Sequence, residues 1–346
     1  MLTARGFKHP PKAESERSMD HPFAKYVRIL GKGPGISRDL GAEEAYEAFS
    51  MVLKGEVEPL QLGAFLCLMR YKKETPVELA AFVRAVKDTM SPAPDIAVDL
   101  DWPSYADRHR QLPWFVLSAL MLAQNGVRIF MHGIEGFSEG LMPTRPVLRA
   151  LGLPILRDWD GVVQALDHGN FAYMGLEDFA PSLEKLFGLR SLLGLRSPVN
   201  SLSRELNVLD APAQLQGVFH PTYSDPHRES GRISGQKNLS VFKGGGGEVQ
   251  CNPYKPIKIF GLRDGQPHDV TWPASMTGTA YNWREEPLEL ARIVALWRGE
   301  VDEADFGHAV AAIIDTAAVA LYTMGRAEEP EEARAMARAM WHDRTE

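Results

Sequence analysis

Apolar residues in the N-terminal quarter of the chain recur at helical spacing. Thr75 and Glu78 form a capping box around Pro76 at the first helical position, and Leu79, Phe82, Val83, Val86 and Met90 follow on one stripe. Upstream, a helix is predicted over 41–54, closed by Gly55, and another over 59–70, with Leu60, Ala64, Phe65 and Leu68 on one face. Short loops make these helices antiparallel neighbours. Ser91-Pro92-Ala93-Pro94 then reads as a linker, and the pattern changes beyond it. A helical run over 112–124 stops at Gly126, and Val127, Ile129, Phe130 and Met131 fit a buried strand ending at His132-Gly133. Further strands are predicted at 217–220, 240–242, 257–262 and 268–272, and helices at 287–297, 305–323 and 330–341. Helix followed by strand implies a parallel sheet whose ligands bind beyond the carboxyl ends of the strands. The expected architecture is therefore a small N-terminal helical domain, 22–91, joined to a larger α/β domain, 92–346, with a central, mostly parallel sheet.

Composition adds exclusions. A chain of 346 residues with 45% hydrophobic and 24% charged residues can bury a large core and is ordinary for a globular protein. No apolar run in the sequence approaches the roughly 18 residues needed to cross a bilayer, which argues against a membrane partner. Residues 1–21 mix Arg5, Lys8, Lys12 and Arg17 with Pro10 and Pro11, without the apolar stretch of a secretory signal, and are expected to be a mobile basic tail. Cys67 and Cys251 cannot supply a disulfide framework or a metal knuckle, so a cytoplasmic location is expected.

The net charge of −7 argues against a polyanionic partner only until its distribution is considered. Residues 188–263 carry ten Lys and Arg against five Asp and Glu, a net +5 that leaves −12 on the rest of the chain. Such an asymmetry is either an electropositive face or a solvated surface whose acids lie elsewhere.

The pieces also stand in a recognisable order. "LGKGPGISRDLGAEEAYEAFSMVLKGEVEPLQLGAFLCLMRYKKETPVELAAFVRAVKDTM" resembles the helical domain of anthranilate phosphoribosyltransferases, and "AAVALYTMGRAEEPEEARAMARAM" resembles their C-terminal helices. Between them, "GVRIFMHG" occupies the place of the strand leading to the family's Lys-His-Gly-Asn motif, and "LGLRSPVNSL" resembles the stretch beginning Leu-Gly-x-Arg-Thr. The resemblance covers most of 22–342. It implies the two-domain fold just described, with part of 160–200 joining the helical domain and that domain forming a homodimer.

Departures from the family pattern bear on function. A Gly-Thr-Gly-Gly-Asp loop cradles phosphoribosyl pyrophosphate in the transferases, because only glycines let backbone amides approach a pyrophosphate so closely. Here that place reads "WPSYADRHRQ", without a glycine. Lys-His-Gly-Asn has become Met131-His132-Gly133-Ile134, and the His-His-Pro turn falls on Phe179-Ala180-Pro181. The acidic pair for magnesium reduces to Glu248 in "GGGGEVQCNP", and one carboxylate does not make two divalent-ion sites. Arg190 falls where the transferases place an arginine for the anthranilate carboxylate, Arg196 and Asn200 match the next motif, and the family's Gly-Pro becomes Ser203-Arg204. Arg196 and Asn200 have a second reading, as residues that hold a loop together.

With "SYADRHRQ", "MHGIEG" and "GEVQCNP", these losses resemble the YbiB-type subgroup of the family. That resemblance implies a homodimer that binds nucleic acid and does not make phosphoribosyl anthranilate. The nominated contacts for DNA or RNA are Arg108, Arg110, Arg190, Arg196, Arg204, Arg228, Arg232, Lys237, Lys243, Lys255 and Lys258. Arg108, His109 and Arg110 stand where the glycine loop stood, and long guanidinium side chains suit an extended phosphate backbone. A vestigial substrate pocket is assigned to Ser104, Tyr105, His132, Gly133, Arg190, Asn200 and Glu248. No catalytic residue, metal site or cofactor is assigned, and Mg2+ enters only if the chain is a phosphoribosyltransferase with another acceptor. A scaffold whose basic face meets an acidic protein is the third reading. "KGGGGE" is either an anion-binding nest or a flexible loop, Tyr223 either stacks on a base or packs on its own turn, and "GKGPGIS" has the wrong spacing for a phosphate loop. Without an RNP, helix-turn-helix or zinc-finger signature, sequence-specific base reading is not expected.

Overall fold

The computed structural model describes residues 20–106, 110–135 and 141–344. The N-terminal part is helical, with Ala24–Gly31, Ala42–Leu53, Pro59–Lys72 and Pro76–Thr89 as its helices. The capping box forms as the residues predict: the Glu78 amide donates to Thr75 Oγ1 (3.2 Å) and the Thr75 amide to Glu78 Oε2 (2.8 Å). Gly55 takes a φ of 73°, the left-handed conformation that lets the chain leave the second helix.

The remainder is built on eight strands: β1 (Leu100–Ser104), β2 (Ile129–Gly133), β3 (Phe171–Gly175), β4 (Ala213–Val218), β5 (Asn238–Lys243), β6 (Ile257–Arg263), β7 (Gln266–Pro267) and β8 (Val270–Trp272). Their order is β3-β2-β1-β4-β5-β6-β7, with β8 also on β6. The first five run parallel, and β6 turns antiparallel on β5. The chain thus winds outward from β1 to β3, then returns to lay β4 on the other side of β1. That reversal places a topological switch point between β1 and β4, where the loops leaving the two strands diverge and open a crevice.

Strand alternation assigns the two faces of the sheet. Leu100, Trp102, Ile129, Met131, Phe171, Tyr173 and Leu215 enter one core with the helices Phe115–Gln124 and Gly307–Thr323. Phe130, Ala172 and Met174 enter a second core, which unites the N-terminal helices with residues of 162–211. The segment Glu303–Thr323 is long and apolar enough to span a bilayer, contrary to the sequence expectation, but it is 72% buried as the central helix of the first core.

Four strands depart from the prediction, the two-residue β7 among them. β1 and β3 have no counterpart among the predicted strands: Asp101, Pro103 and Ser104 interrupt the apolar pattern of β1, yet all five of its residues are buried. β4 begins four residues before the predicted 217, because Gln214 and Gln216 disguise a fully buried strand.

Candidate functional site

The pocket nominated from sequence is filled by protein. Tyr105 follows β1 and is buried with its hydroxyl 2.7 Å from His132 Nδ1, while His132 Nε2 lies 3.2 Å from Asp101 Oδ1. Tyr105 O–H donates to Nδ1 and Nε2–H to Asp101 Oδ2 (3.4 Å), while Asp101 Oδ1 has no hydrogen-bond partner among the described residues. The Tyr105 ring stacks on Phe187 (6.1 Å, 13°), and the His132 ring stacks on Phe130 (5.6 Å) and meets Phe179 edge-on (5.7 Å). Phe179, in the place of the family's His-His-Pro turn, thus closes the space with an apolar ring. Ser104 Oγ shares a hydrogen bond with Thr144 Oγ1 (2.7 Å). A Cβ on Gly133 would lie 2.1 Å from the Ser104 carbonyl, so this glycine serves the close approach of β1 and β2.

A buried polar chain extends from this cluster across the sheet. Gln214 donates to Asp101 (2.8 Å), Gln216 donates to Gln214 (2.7 Å), and His227 Nδ1 meets Gln216 Oε1 at 2.8 Å and Glu205 Oε1 at 3.3 Å. Burial, followed by nearby Arg204, pushes the His227 pKa down to about 3, so its ring stays neutral.

Glu248 is also buried. Its Oε1 accepts from the Ala106 amide at 2.7 Å, and burial, opposed by Arg204 and that amide, raises its pKa to about 7. The preceding glycines form neither a nest nor a loose loop. Gly245 N donates to Gln250 O (2.8 Å) and Glu248 N to Gly245 O (3.0 Å), so the amides that would bind an anion are spent within the turn. A magnesium–pyrophosphate group does not fit these residues: aromatic rings occupy the cleft, and the one matching carboxylate is turned onto a backbone amide.

What stays open lies beside this plug, at the switch point. A cleft of about 80 Å³ beyond the end of β4 is lined by Arg70, Arg196, Asn200, Arg204, Phe219 and His220, among others. Arg190 and Arg196 repel each other, and Arg196 also bears on Arg204. Burial first, then this repulsion, lowers the pKa of Arg190, and the same two effects bring Arg204 down to about 10 with Glu248 acting against them. Phe219, 50% exposed, stands at its mouth with His220 edge-on at 4.8 Å. Arg70 reaches in from the helical domain and donates to the Tyr223 hydroxyl at 2.8 Å, which ties Tyr223 down more than a free stacking role would. Neither Arg70 nor Phe219 carries a signal in the sequence: one is far away along the chain, and the other falls inside a predicted strand.

The remaining nominated residues divide. Arg204 is buried and donates to Gly217 O (3.0 Å), Tyr105 O (3.3 Å) and Asn200 O, so it braces the cleft from beneath and is not a surface contact. Asn200 accepts from the Ser197 amide (3.3 Å), in keeping with its loop-holding reading. Arg228 is held by Asp269 (2.9 Å) and Asp225, and Arg232 by Glu229 (2.6 Å). Lys237 precedes β5, at the amino ends of the strands, away from the cleft. Lys243 ends β5, and exposed Lys258 adjoins Ile259, the partner of Phe242, so both lie at the cleft end with Lys255 close by in sequence. Arg110 is exposed, and Arg108 lies outside the described residues. The basic segment is therefore not one face: Lys237 and Lys243 lie at opposite ends of β5.

Comparison with known proteins agrees with this architecture. Residues 24–90 match the helical bundle domain of a glycosyl transferase family. The chain is 30% identical to an anthranilate phosphoribosyltransferase of Nitratidesulfovibrio vulgaris over 260 residues, 73% of this chain and 76% of that protein. It is 27% identical to the Escherichia coli protein YbiB, over 68% of this chain and 75% of that one. In structure it resembles the crystal structure of anthranilate phosphoribosyltransferase from Thermus thermophilus, with a TM-score of 0.74, 23% identity and coverage of 93% and 94%.

Proposed function

Because the chain belongs to the anthranilate phosphoribosyltransferase family, and function must be argued from its own site, we propose that it is a non-catalytic, cytoplasmic homodimer that binds nucleic acid without sequence preference. The observation that carries this reading is the exchange at the switch point: aromatic rings plug the sugar-phosphate pocket, while Arg70, Arg196 and exposed Phe219 border an open cleft beside it. Cations that meet phosphate and an aromatic face that stacks on a base are the two elements of single-strand binding, and neither reads sequence.

The test is a titration of the protein with single- and double-stranded DNA and RNA at two salt concentrations, with phosphoribosyl pyrophosphate and an acidic protein as competitors. Binding to unrelated sequences with similar affinity, weakened by salt, is the expected result. Displacement by phosphoribosyl pyrophosphate at low concentration would favour the transferase reading, and preference for the acidic protein would favour a scaffold.

Binding is also expected to weaken as pH rises from 6 to 8. Glu248 has a folded pKa of about 7, so over this range it loses a proton and places a negative charge beside Arg204 under the cleft. The sign for folding is the same. A carboxyl raised above its ordinary 4.5 contributes stability that is present below that value and lost as pH rises through about 7. Glu248→Gln should flatten the binding dependence between pH 6 and 8 and the stability dependence between 4.5 and about 7, and a variant whose binding curve keeps the wild-type pH slope would assign that slope to other groups.

For the dimer, Phe65 and Met69 are buried in the core of their own domain. Among the exposed apolar residues, Leu60 (86% exposed), Tyr71 (87%) and Leu192 (82%) are the most open. Leu193 lies against the helix of Leu60 and Tyr71, since a Cβ on Gly63 would come within 3.9 Å of it, so these residues occupy one region. Light scattering at micromolar concentration should report twice the chain mass, and Leu60→Glu with Leu192→Glu should halve it. A wild-type monomer would remove the dimer.

A further inference from the structure

A second cleft lies at the opposite end of the sheet. It opens between the helix Pro76–Thr89 and the segment leading from the helix Ser224–Ile233 into β5, and its volume is about 580 Å³. That is within the range of cavities that hold drug-sized molecules. On the helical-domain side, Val77, Ala80 and Ala81 form an apolar wall, and the two alanines keep it shallow enough to leave the gap. Gly231 and Ile233 stand on the other side, with Ile233 44% exposed. Two apolar walls drawn from different elements suit a flat body that covers both of its faces.

Polar groups are placed at the floor and the mouth. Glu205 in the floor is 6% exposed. One of its oxygens accepts from Ser230, while Oε1 has no hydrogen-bond partner among the described residues. His227 approaches Oε1 only to 3.3 Å and is engaged more closely by Gln216. A buried carboxyl oxygen left in this state is costly unless something else meets it. Burial raises the Glu205 pKa well above the ordinary carboxyl range, which favours the neutral acid, with a proton to donate. At the mouth, Arg84 is held by Glu43 (3.0 Å) and Lys87 by Asp210 and by the Asn207 carbonyl (2.9 Å). Among the described residues at the rim, Lys237 is the exposed cation without an ion pair.

We propose that this cleft is a binding site for a small aromatic molecule carrying one anionic group, with the ring between the walls, a ring acceptor or hydroxyl on Glu205 and the anion at Lys237. An aromatic carboxylate and a nucleoside monophosphate share this chemistry. The site is separate from the arginine cleft and does not depend on the nucleic-acid reading.

The test uses the full chain and the fluorescent anion 8-anilinonaphthalene-1-sulfonate, followed by displacement with 1-naphthoate and with adenosine monophosphate. One saturable site is expected, displaced by at least one of the two competitors, which identifies the source of the anion. Val77→Trp with Ile233→Trp narrows the gap from both walls and should weaken binding at least tenfold. Lys237→Glu, an exposed change that leaves the fold alone, should weaken it several-fold. Nucleic-acid binding, measured on the same samples, should be unchanged in both variants. The proposal is overturned if no saturable binding occurs, if neither competitor displaces the dye, or if Lys237→Glu binds within twofold of the unsubstituted protein.

Discussion

Given anthranilate, phosphoribosyl pyrophosphate and magnesium, the purified protein is expected to release no pyrophosphate above background. Transfer of a phosphoribosyl group requires the pyrophosphate to sit against backbone amides and a divalent ion at the carboxyl ends of the strands. In this chain Tyr105 projects from the end of β1 into a stack with Phe187, and Phe179 and His132 close the rest, all four buried. Admitting the substrate would mean expelling those rings, and large aromatic side chains removed from a core cost about 3–5 kcal/mol each. Glu248 does not compensate, because its Oε1 is bound to the Ala106 amide and burial raises its pKa to about 7, which disfavours the charged carboxylate a divalent ion needs. Turnover on the order of 1 per second or more would overturn the non-catalytic reading. The family membership of the chain makes this a sharp test, since the fold that supports the reaction elsewhere is present and only the site differs.

Replacing Arg70 and Arg196 by Ala is expected to weaken single-stranded nucleic acid binding strongly and to lower the salt slope by about 0.7 for each phosphate that is no longer neutralised. Both residues line the cleft at the switch point, one from each side of it along the chain. Phe219→Ala should weaken single-strand binding by about 1–3 kcal/mol while leaving the salt slope unchanged, because it removes stacking and not charge. The control is Arg232→Ala with Lys237→Ala. Arg232 is already paired with Glu229, and Lys237 lies at the amino ends of the strands, so this pair should change affinity little despite removing as many positive charges. If the control pair weakens binding as much as the cleft pair does, or if the slope is unaltered by removal of the arginines, the arginine cleft is not where the polyanion binds. Arg204 is a poor choice for such a test, since its guanidinium donates to three backbone carbonyls and its replacement would disturb the cleft itself.

The local rules of the chain were sufficient for the helices they predicted, but Ala24–Gly31, Trp159–Gly169 and Ser224–Ile233 were not among them. Thr75, Pro76 and Glu78 set the start of their helix by short-range hydrogen bonds, and Gly55 ends another through a left-handed φ that needs no tertiary partner. The apolar stretch at Ile129–Gly133 likewise announced a buried parallel strand. The order of these elements carried the family resemblance, and the missing glycine loop was visible as composition alone. What the sequence could not give was β1, because the Asp101, Pro103 and Ser104 that break its pattern are stabilised by partners far along the chain: Gln214 for Asp101 and Thr144 for Ser104. Charge was the other limit. Ten basic residues in 188–263 suggested one face, yet β5 separates Lys237 from Lys243 by the length of a strand, and Asp269 and Asp225 pair with Arg228. Whether a cation is open, braced or paired depends on neighbours brought by the fold. Arg70 joined the cleft and Arg204 left the surface for that reason alone, since side-chain electrostatics acts over a few ångströms of space and is blind to distance along the chain.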